Sequence, residues 1–428
     1  MAGRRAGEAT QGLGLIGKVV EQSGGASLLD YGVWCDIAFP HVVGIFGTRG
    51  TGKSFDLGVF VESVAGVLGV SHGTAPSSAV VLFDIQDQFW TLGFAPDPEL
   101  PEDETHVRTL AAWGLNPTAL QNVVLWVPPG VQSSLPNVRT FRLSPSQLSA
   151  DDWIGLLELD RYSPMGQAVI TLLRSAPSGA EGPADLATRC EPVGDLSAFQ
   201  AGTLDALRWR LQAIAEADLV GDPGIDVGEL LVPGRTSVLL LRRLPESLRA
   251  LSVGVLLRLF NQLMSTAQQE RKVARRLKTA VHTETLPERL WVVIDEAHTI
   301  VPREGRTAAT AAVVDYVKRG RDAGLSMIFA TQQPAAVDNR LMSQVDMTLT
   351  HALSFESDLQ AAVARMPTRN SISYERSGFA LPSLGDVIRA LDPGEALLAD
   401  ANSGRVFAVR IRPRVTAHGG NTPPTQGE

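Results

Sequence analysis

Cysteine is nearly missing from this sequence: Cys35 and Cys190 are the only two in 428 residues. They stand far apart, so neither a disulfide framework nor a cysteine-based zinc site is indicated. Seven histidines are scattered without ligand spacing. No His-Glu-x-x-His, Cys-x-x-Cys pair, Ser/His/Asp or Cys/His arrangement suggests zinc or covalent catalysis. Long apolar runs are lacking too: none reaches about 18 residues, and none of signal-peptide length follows Met1-Ala2-Gly3-Arg4-Arg5. A soluble, cytoplasmic protein without a membrane partner is expected. Positive charge is not in excess either. The net charge of −8 argues against coating nucleic acid by overall charge, though not against a ring with a basic lining.

What is present is a hydrophobic content of 44%, enough for a real core, on a chain long enough for one enlarged α/β domain or two ordinary ones. Residues 1–12 read as a disordered lead and residues 416–428 as a polar, disordered tail. Between 13 and 37, two short β-like stretches, Leu15–Val20 and Ser27–Trp34, flank a Ser-Gly-Gly turn and predict a small β appendage. Residues 38–415 alternate strands with helices. Strands are expected at His41–Gly47, Ala79–Phe83, Asn122–Val127, Ser237–Leu241, Leu290–Ile294, Leu325–Ala330, Met347–Thr350, Glu395–Ala399 and Val406–Ile411. A helix is expected over Lys53–Leu68. This alternation predicts an α/β domain with a mostly parallel sheet and helices on both faces. From about 145 to 232 the pattern turns helical, with a Pro/Gly/Ser-rich break at Ser175–Gly182 and an amphipathic stretch at Leu204–Ile214; it reads as a helical insertion.

The chemistry begins at Gly47-Thr48-Arg49-Gly50-Thr51-Gly52-Lys53-Ser54, entered from the apolar run Val42–Phe46. It satisfies the phosphate-binding pattern G-x-x-x-x-G-K-[ST] in its strand-to-helix context. Glycines let the backbone form a nest of N–H groups, and the helix opening at Lys53 adds the positive end of its dipole. Lys53 is expected to bridge the β- and γ-phosphates of ATP and Ser54 to ligate Mg²⁺. The second motif is Leu290-Trp291-Val292-Val293-Ile294-Asp295-Glu296-Ala297-His298, a buried strand that ends in two carboxylates. Asp295 is expected to hold Mg²⁺ through water, and Glu296 to polarise the water that attacks the γ-phosphate. His298 is expected to pack at the site's edge.

In a parallel sheet, residues that end consecutive strands converge on the nucleotide. Gln332 is therefore expected to face the γ-phosphate as a polar sensor. Asp84 could order the metal's water shell or merely cap the next helix, and the sequence does not separate the two. Arg319 and Arg321 end a helix that starts near Thr307 and runs toward the opposite edge. They are expected either to act on a neighbouring subunit's nucleotide or to cap their own helix. Two basic clusters, Arg271, Lys272, Arg275, Arg276 and Lys278, then Lys318, Arg319 and Arg321, are candidates for DNA contact or ordinary solvated faces.

The words around these motifs resemble the HerA branch of the HerA/FtsK superfamily of RecA-like ring motors. The resemblance rests on His41 before the phosphate loop, Asp84-Ile85-Gln86-Asp87-Gln88-Phe89, Asp295-Glu296-Ala297-His298, Arg319-Gly320-Arg321-Asp322-Ala323-Gly324 and Ala330-Thr331-Gln332-Gln333-Pro334. It spans about residues 38–412 and implies a RecA-like P-loop NTPase core, ATP and Mg²⁺, and a homo-hexamer that threads double-stranded DNA. A nuclease or other effector partner, and a role in DNA processing or phage defence, are implied in the same way. Three departures stand out. Asp87-Gln88-Phe89 replaces the usual Gly-Glu-Tyr, Gln333 replaces an arginine, and the family's N-terminal β-barrel shrinks to a short appendage. The alternatives are an ATPase ring that gates an effector without moving DNA, and a conjugation- or secretion-type motor. A DEAH-box RNA helicase is excluded by spacing. Asp295 comes 241 residues after Ser54 and only 130 residues follow His298, too few for the second RecA-like domain those enzymes carry there.

Overall fold

The computed structural model describes residues 1–3, 12–20, 22–23, 26–27, 31–70, 77–175, 181–280, 285–367, 374–376, 379–381 and 383–420. Its frame is one 13-stranded sheet. Twelve of the strands are β1 (Leu13–Val19), β2 (Gly32–Asp36), β3 (Val42–Phe46), β4 (Ser78–Asp84), β5 (Val123–Val127), β6 (Val138–Thr140), β7 (Thr236–Leu240), β8 (Arg289–Ile294), β9 (Leu325–Thr331), β10 (Met347–Thr350), β11 (Glu395–Asp400) and β12 (Arg405–Ile411). They run in the order β2-β1-β12-β11-β10-β3-β9-β8-β4-β7-β5-β6, and the short strand Gly69–Val70 also pairs with β1. From β10 to β6 every pairing is parallel; from β10 through β11, β12 and β1 to β2 every pairing is antiparallel. The mostly parallel α/β sheet predicted from sequence is the one observed.

The central strands are mostly apolar and buried because both faces are covered. Along β8, Trp291 and Val293 join the core that includes Leu57, Phe60 and Val61 of α1 (Lys53–Val64), while Leu290, Val292 and Ile294 join the opposite core. Beyond β4 comes α2 (Pro101–Ala112). The opposite face carries the insertion, which is helical as expected: α3 (Ala150–Leu156), α4 (Pro164–Arg174), α5 (Pro183–Thr188), α6 (Ala201–Ala215) and α7 (Val227–Leu230). The amphipathic stretch in α6 buries Leu204, Leu207 and Leu211. The same face carries α8 (Glu246–Leu277) and α10 (Thr310–Ala323); between them in the chain, α9 (Ala297–Ile300) follows β8 directly. The remaining helices are α11 (Asn339–Met342), α12 (Glu356–Val363) and α13 (Leu384–Arg389).

Three expectations are corrected. The Leu13–Ile37 stretch is no separate appendage: β1 pairs with β12 and β2 with β1, so it extends the main sheet at its antiparallel edge. Within the expected lead, Ala2 is buried and bridges to Cys35, and the Gly3 N–H donates to Asp400; residues 4–11 lie outside the described part. Within the expected tail, Thr416 is fully buried, its N–H and hydroxyl donate to Glu62, and Ala417 bonds to Phe94 through its N–H. Polar composition hid this segment because its partners are buried charges, not an apolar face. Residues 421–428, and the centre of the Ser175–Gly182 break, lie outside the described residues.

Candidate active site

The phosphate loop takes its shape from its glycines. Gly50 and Gly52 have φ of +80° and +117°, where side chains are strained. A methyl group on Gly47 would stand 2.5 Å from the Thr51 hydroxyl and 2.8 Å from His351 Cβ. The loop, the start of α1 and the ends of β4, β8 and β9 frame an open cleft of about 1130 Å³. Arg49, Gly50, Thr51, Gly52, Lys53, Ser54, Gln86, Gln88, Glu296 and Gln332 are among its lining residues. Gly47 and Thr48 form the loop's entry. Thr48 is tied down by its N–H to Ala352 and by Lys53, whose Nζ donates to the Thr48 carbonyl at 2.7 Å.

Burial lowers the Lys53 ammonium's pKa from its ordinary value, with Glu296, Asp295 and Asp56 opposing the fall. Asp295 is fully buried and pushed up to about 7, first by burial and then by the negative charges of Glu296 and Asp84. Its Oδ1 accepts the Glu296 N–H at 3.0 Å, and its Oδ2 has no hydrogen-bond partner. A buried carboxylate oxygen left open in this way is costly unless a cation or a bound water meets it. Mg²⁺ with its water shell fits that position, and Ser54 lines the cleft.

Glu296 sits in the left-handed region, φ +48° and ψ +49°, and turns its side chain into the cleft wall. Its Oε1 accepts from Gln86 Nε2 at 2.7 Å and from Gln332 Nε2. His298 lies at the edge as expected, its Nδ1 3.1 Å from the Thr331 hydroxyl and 3.4 Å from Glu296 Oε2. Asp84 caps its turn: Oδ1 accepts the Gln86 N–H at 3.1 Å and Oδ2 the Phe89 N–H at 2.8 Å. Burial raises its pKa to about 6 against those bonds.

Lys53, Ser54, Glu296 and Gln332 thus meet around one cleft, with Asp295 buried behind it. Arg319 and Arg321 do not line it. They lie in the last turns of α10, and Arg319 is 70% exposed in an ion pair with Asp315 at 2.9 Å. The basic residues Lys272, Arg275, Arg276 and Lys278 form the exposed end of the 32-residue helix α8. That end and the end of α10 lie at the same sheet edge, away from the cleft, because both helices run from the carboxyl edge back to the start of a parallel strand.

Sequence reasoning missed two features. Gln86 touches Glu296 although 210 residues separate them. Under the loop, His351 Nε2 meets Asp56 at 2.7 Å while its Nδ1 donates to the Glu395 carbonyl at 2.8 Å, linking α1 to the antiparallel wing. A histidine after an apolar strand carries no local signal of either partner.

No family model matches this sequence, and no curated protein matches it. Solved structures match its fold. VirB4 of Thermoanaerobacter pseudethanolicus superposes with a TM-score of 0.54 at 15% identity, over 93% of this chain and 96% of that one. The plasmid coupling protein TrwB in complex with ADP and Mg²⁺ gives 0.54 at 15% identity over 97% of each chain. TrwB with the non-hydrolysable GTP analogue GDPNP gives 0.53 at 14% identity, over 90% of this chain and 88% of that one. The fold class is therefore that of the α/β, RecA-like P-loop NTPases. Within it, the chain is similar in fold to VirB4 and to the plasmid coupling protein TrwB along nearly its whole length.

Proposed function

We propose that this chain is an ATP-hydrolysing DNA motor of HerA type. In this reading a hexamer translocates or unwinds double-stranded DNA beside a nuclease or other effector, in DNA processing or phage defence. The observation that carries it is the convergence of Lys53, Ser54, Glu296 and Gln332 on one cleft, with the open oxygen of Asp295 behind. The nest from Gly47 to Gly52, with Thr48, Arg49 and Thr51, binds the ATP phosphates; Lys53 neutralises the β- and γ-phosphate oxygens. Ser54 and Asp295 would hold Mg²⁺, which would supply neutralising charge beside the phosphates. Glu296 accepts a proton from the attacking water while Gln332 orients it. Arg319 or Arg321 reaches the cleft of the next subunit in the ring. The exposed basic ends of α8 and α10 supply the positive surface that phosphate backbones require.

The test is steady-state ATP hydrolysis against a Lys53→Ala control, with long double-stranded DNA titrated in and assembly state recorded in the same samples. DNA is expected to stimulate turnover several-fold in an assembled ring. An assembled ring that neither binds DNA nor responds to it sinks the DNA-motor reading. A ring that gates an effector without translocation would be favoured if Glu296→Gln, bound to ATP, still supported effector activity. Similarity to VirB4 and TrwB favours a second reading, a conjugation-type motor. Among the described residues no helix is long and apolar enough to cross a membrane, so that reading requires co-purification with a separate inner-membrane complex.

A further inference from the structure

We propose that Gln86 is a positioning residue that decides which oxygen of Glu296 takes the proton, and that Gln88 and the segment Thr416–Gly420 hold Gln86 in that role. The inference rests on the reading of this cleft as an ATP hydrolysis site. Glu296 Oε1 accepts from two amides, Gln86 Nε2 and Gln332 Nε2, and a carboxylate oxygen has about two lone-pair seats. Glu296 Oε2 makes no hydrogen bond, and His298 Nδ1 stands 3.4 Å from it. Oε2 is therefore the open acceptor. As the water oxygen bonds to the γ-phosphorus, its proton passes to Oε2, and the bond from γ-phosphorus to the β,γ-bridging oxygen breaks with its electron pair left on ADP.

The amide of Gln86 could in principle face either way. Glu296 settles it: an ionised carboxylate only accepts, so the NH₂ group of Gln86 faces it, and Gln88 Nε2 donates to the remaining Gln86 Oε1 at 2.8 Å. The backbone that carries both glutamines is clamped by Asp84 at Gln86 N and Phe89 N, with Asp87 between them at φ +57°. The C-terminal segment then lies on Gln88. A methyl group on Gly419 would stand 2.8 Å from the Gln88 carbonyl oxygen, and one on Gly420 would stand 3.4 Å from Gln88 Cδ. The segment is itself fixed, because Arg414 donates to the Thr416 hydroxyl, the Ala417 carbonyl and His418 Nδ1. A continuous path of contacts thus joins the end of the described chain to the glutamate.

Gln86→Met keeps the length of the side chain and removes both the donor and the acceptor of its amide. Steady-state hydrolysis by the full-length protein should show kcat down by roughly 10- to 100-fold, the scale on which misplaced catalytic groups cost rate. KM and the affinity for a fluorescent ATP analogue should stay within about twofold, since Gln86 holds the base and not the phosphates. Unchanged kcat in a normally melting Gln86→Met protein overturns the inference. If that variant does not fold, Gln88→Met carries the test: it releases the oxygen end of Gln86 and lets the side chain leave Glu296, and kcat should fall about 3- to 10-fold with KM unchanged. No fall in kcat there overturns it equally. Hydrolysis that needs Lys53 but ignores both glutamines sinks this inference alone. Hydrolysis no faster than Lys53→Ala sinks the underlying reading and this inference with it.

Discussion

Replacing Glu62 by alanine should release the C-terminal segment from α1 and cost a large part of the protein's stability. Glu62, Arg412 and Arg414 are all fully buried. Glu62 Oε2 accepts from Arg412 Nη1 at 2.6 Å, and its Oε1 lies 3.8 Å from Arg414 Nε while accepting the Thr416 N–H at 2.9 Å and hydroxyl at 2.7 Å. One carboxylate thus serves two guanidinium groups and two neutral donors. Burial already pulls Arg414 down to about 10, with Glu62 opposing the fall and Arg412 adding to it. Removing the carboxylate leaves both charges uncompensated in a place that Arg414 reaches only because Gly58 has no side chain; a methyl there would stand 2.5 Å from Arg414 Nε. Breaking a buried ion pair from one side costs about 3–5 kcal/mol, and the orphaned Thr416 donors fall within the same network, so the losses do not simply add. The expected loss for Glu62→Ala is therefore about 4 kcal/mol. Glu62→Gln keeps acceptors for Thr416 but not the charge and should lose roughly half as much. Urea unfolding measures the loss. Hydrogen exchange locates it, with protection expected to fall over residues 412–420 while β8 stays protected. A loss below about 1 kcal/mol with unchanged exchange would refute the reasoning. The triple replacement of Glu62, Arg412 and Arg414 by methionine should be far milder than Glu62→Ala, since the penalty comes from orphaned charge and not from the absence of the triad.

Glu296→Gln should slow turnover by roughly 10²- to 10⁴-fold while leaving ATP binding intact, because it removes the proton acceptor and none of the phosphate contacts. A fluorescent ATP analogue and a phosphate-release assay separate the two, and a variant that turns over normally rules out Glu296 as the base. His41 predicts a pH dependence of stability. Burial disfavours its charged form, but the hydrogen bond to Asp346 and the nearby Asp36 carboxylate outweigh burial and raise its pKa from 6.5 to about 9. The charged histidine stabilises the fold in full below about pH 6.5, and that contribution, about 3 kcal/mol, is lost as pH rises toward 9. Denaturation between pH 6.5 and 9 should therefore slope downward in the wild type and lose that component in His41→Asn; equal slopes would remove His41 as the cause.

The phosphate loop and the Asp295-Glu296 pair were legible because their geometry is local. A strand, a glycine nest and a helix start occupy consecutive residues, and the strand's end places the carboxylates by chain direction alone. The parallel sheet was legible for a similar reason, since strands buried on both faces are predominantly apolar, as residues 290–294 in β8 and 327–330 in β9 are. The N-terminal strands misled because alternation announces a strand but not its partner. β1 could have closed a small hairpin; its pairing with β12, nearly four hundred positions away in the chain, made it part of the main sheet.

By itself, then, the sequence determined the fold class, the loop's conformation and the residue types at the ends of the central strands, all set by interactions among near neighbours. Only the tertiary structure decided which distant groups share an atom: Gln86 with Gln332 on one oxygen of Glu296, Asp56 with His351 beneath the loop, and Glu62 with Arg412 across 350 residues. A polar side chain declares that it needs a hydrogen-bond partner, but which partner it gets is settled when folding brings the strand ends and the last segment together, where leaving a buried charge unpaired would cost more than any local preference can return.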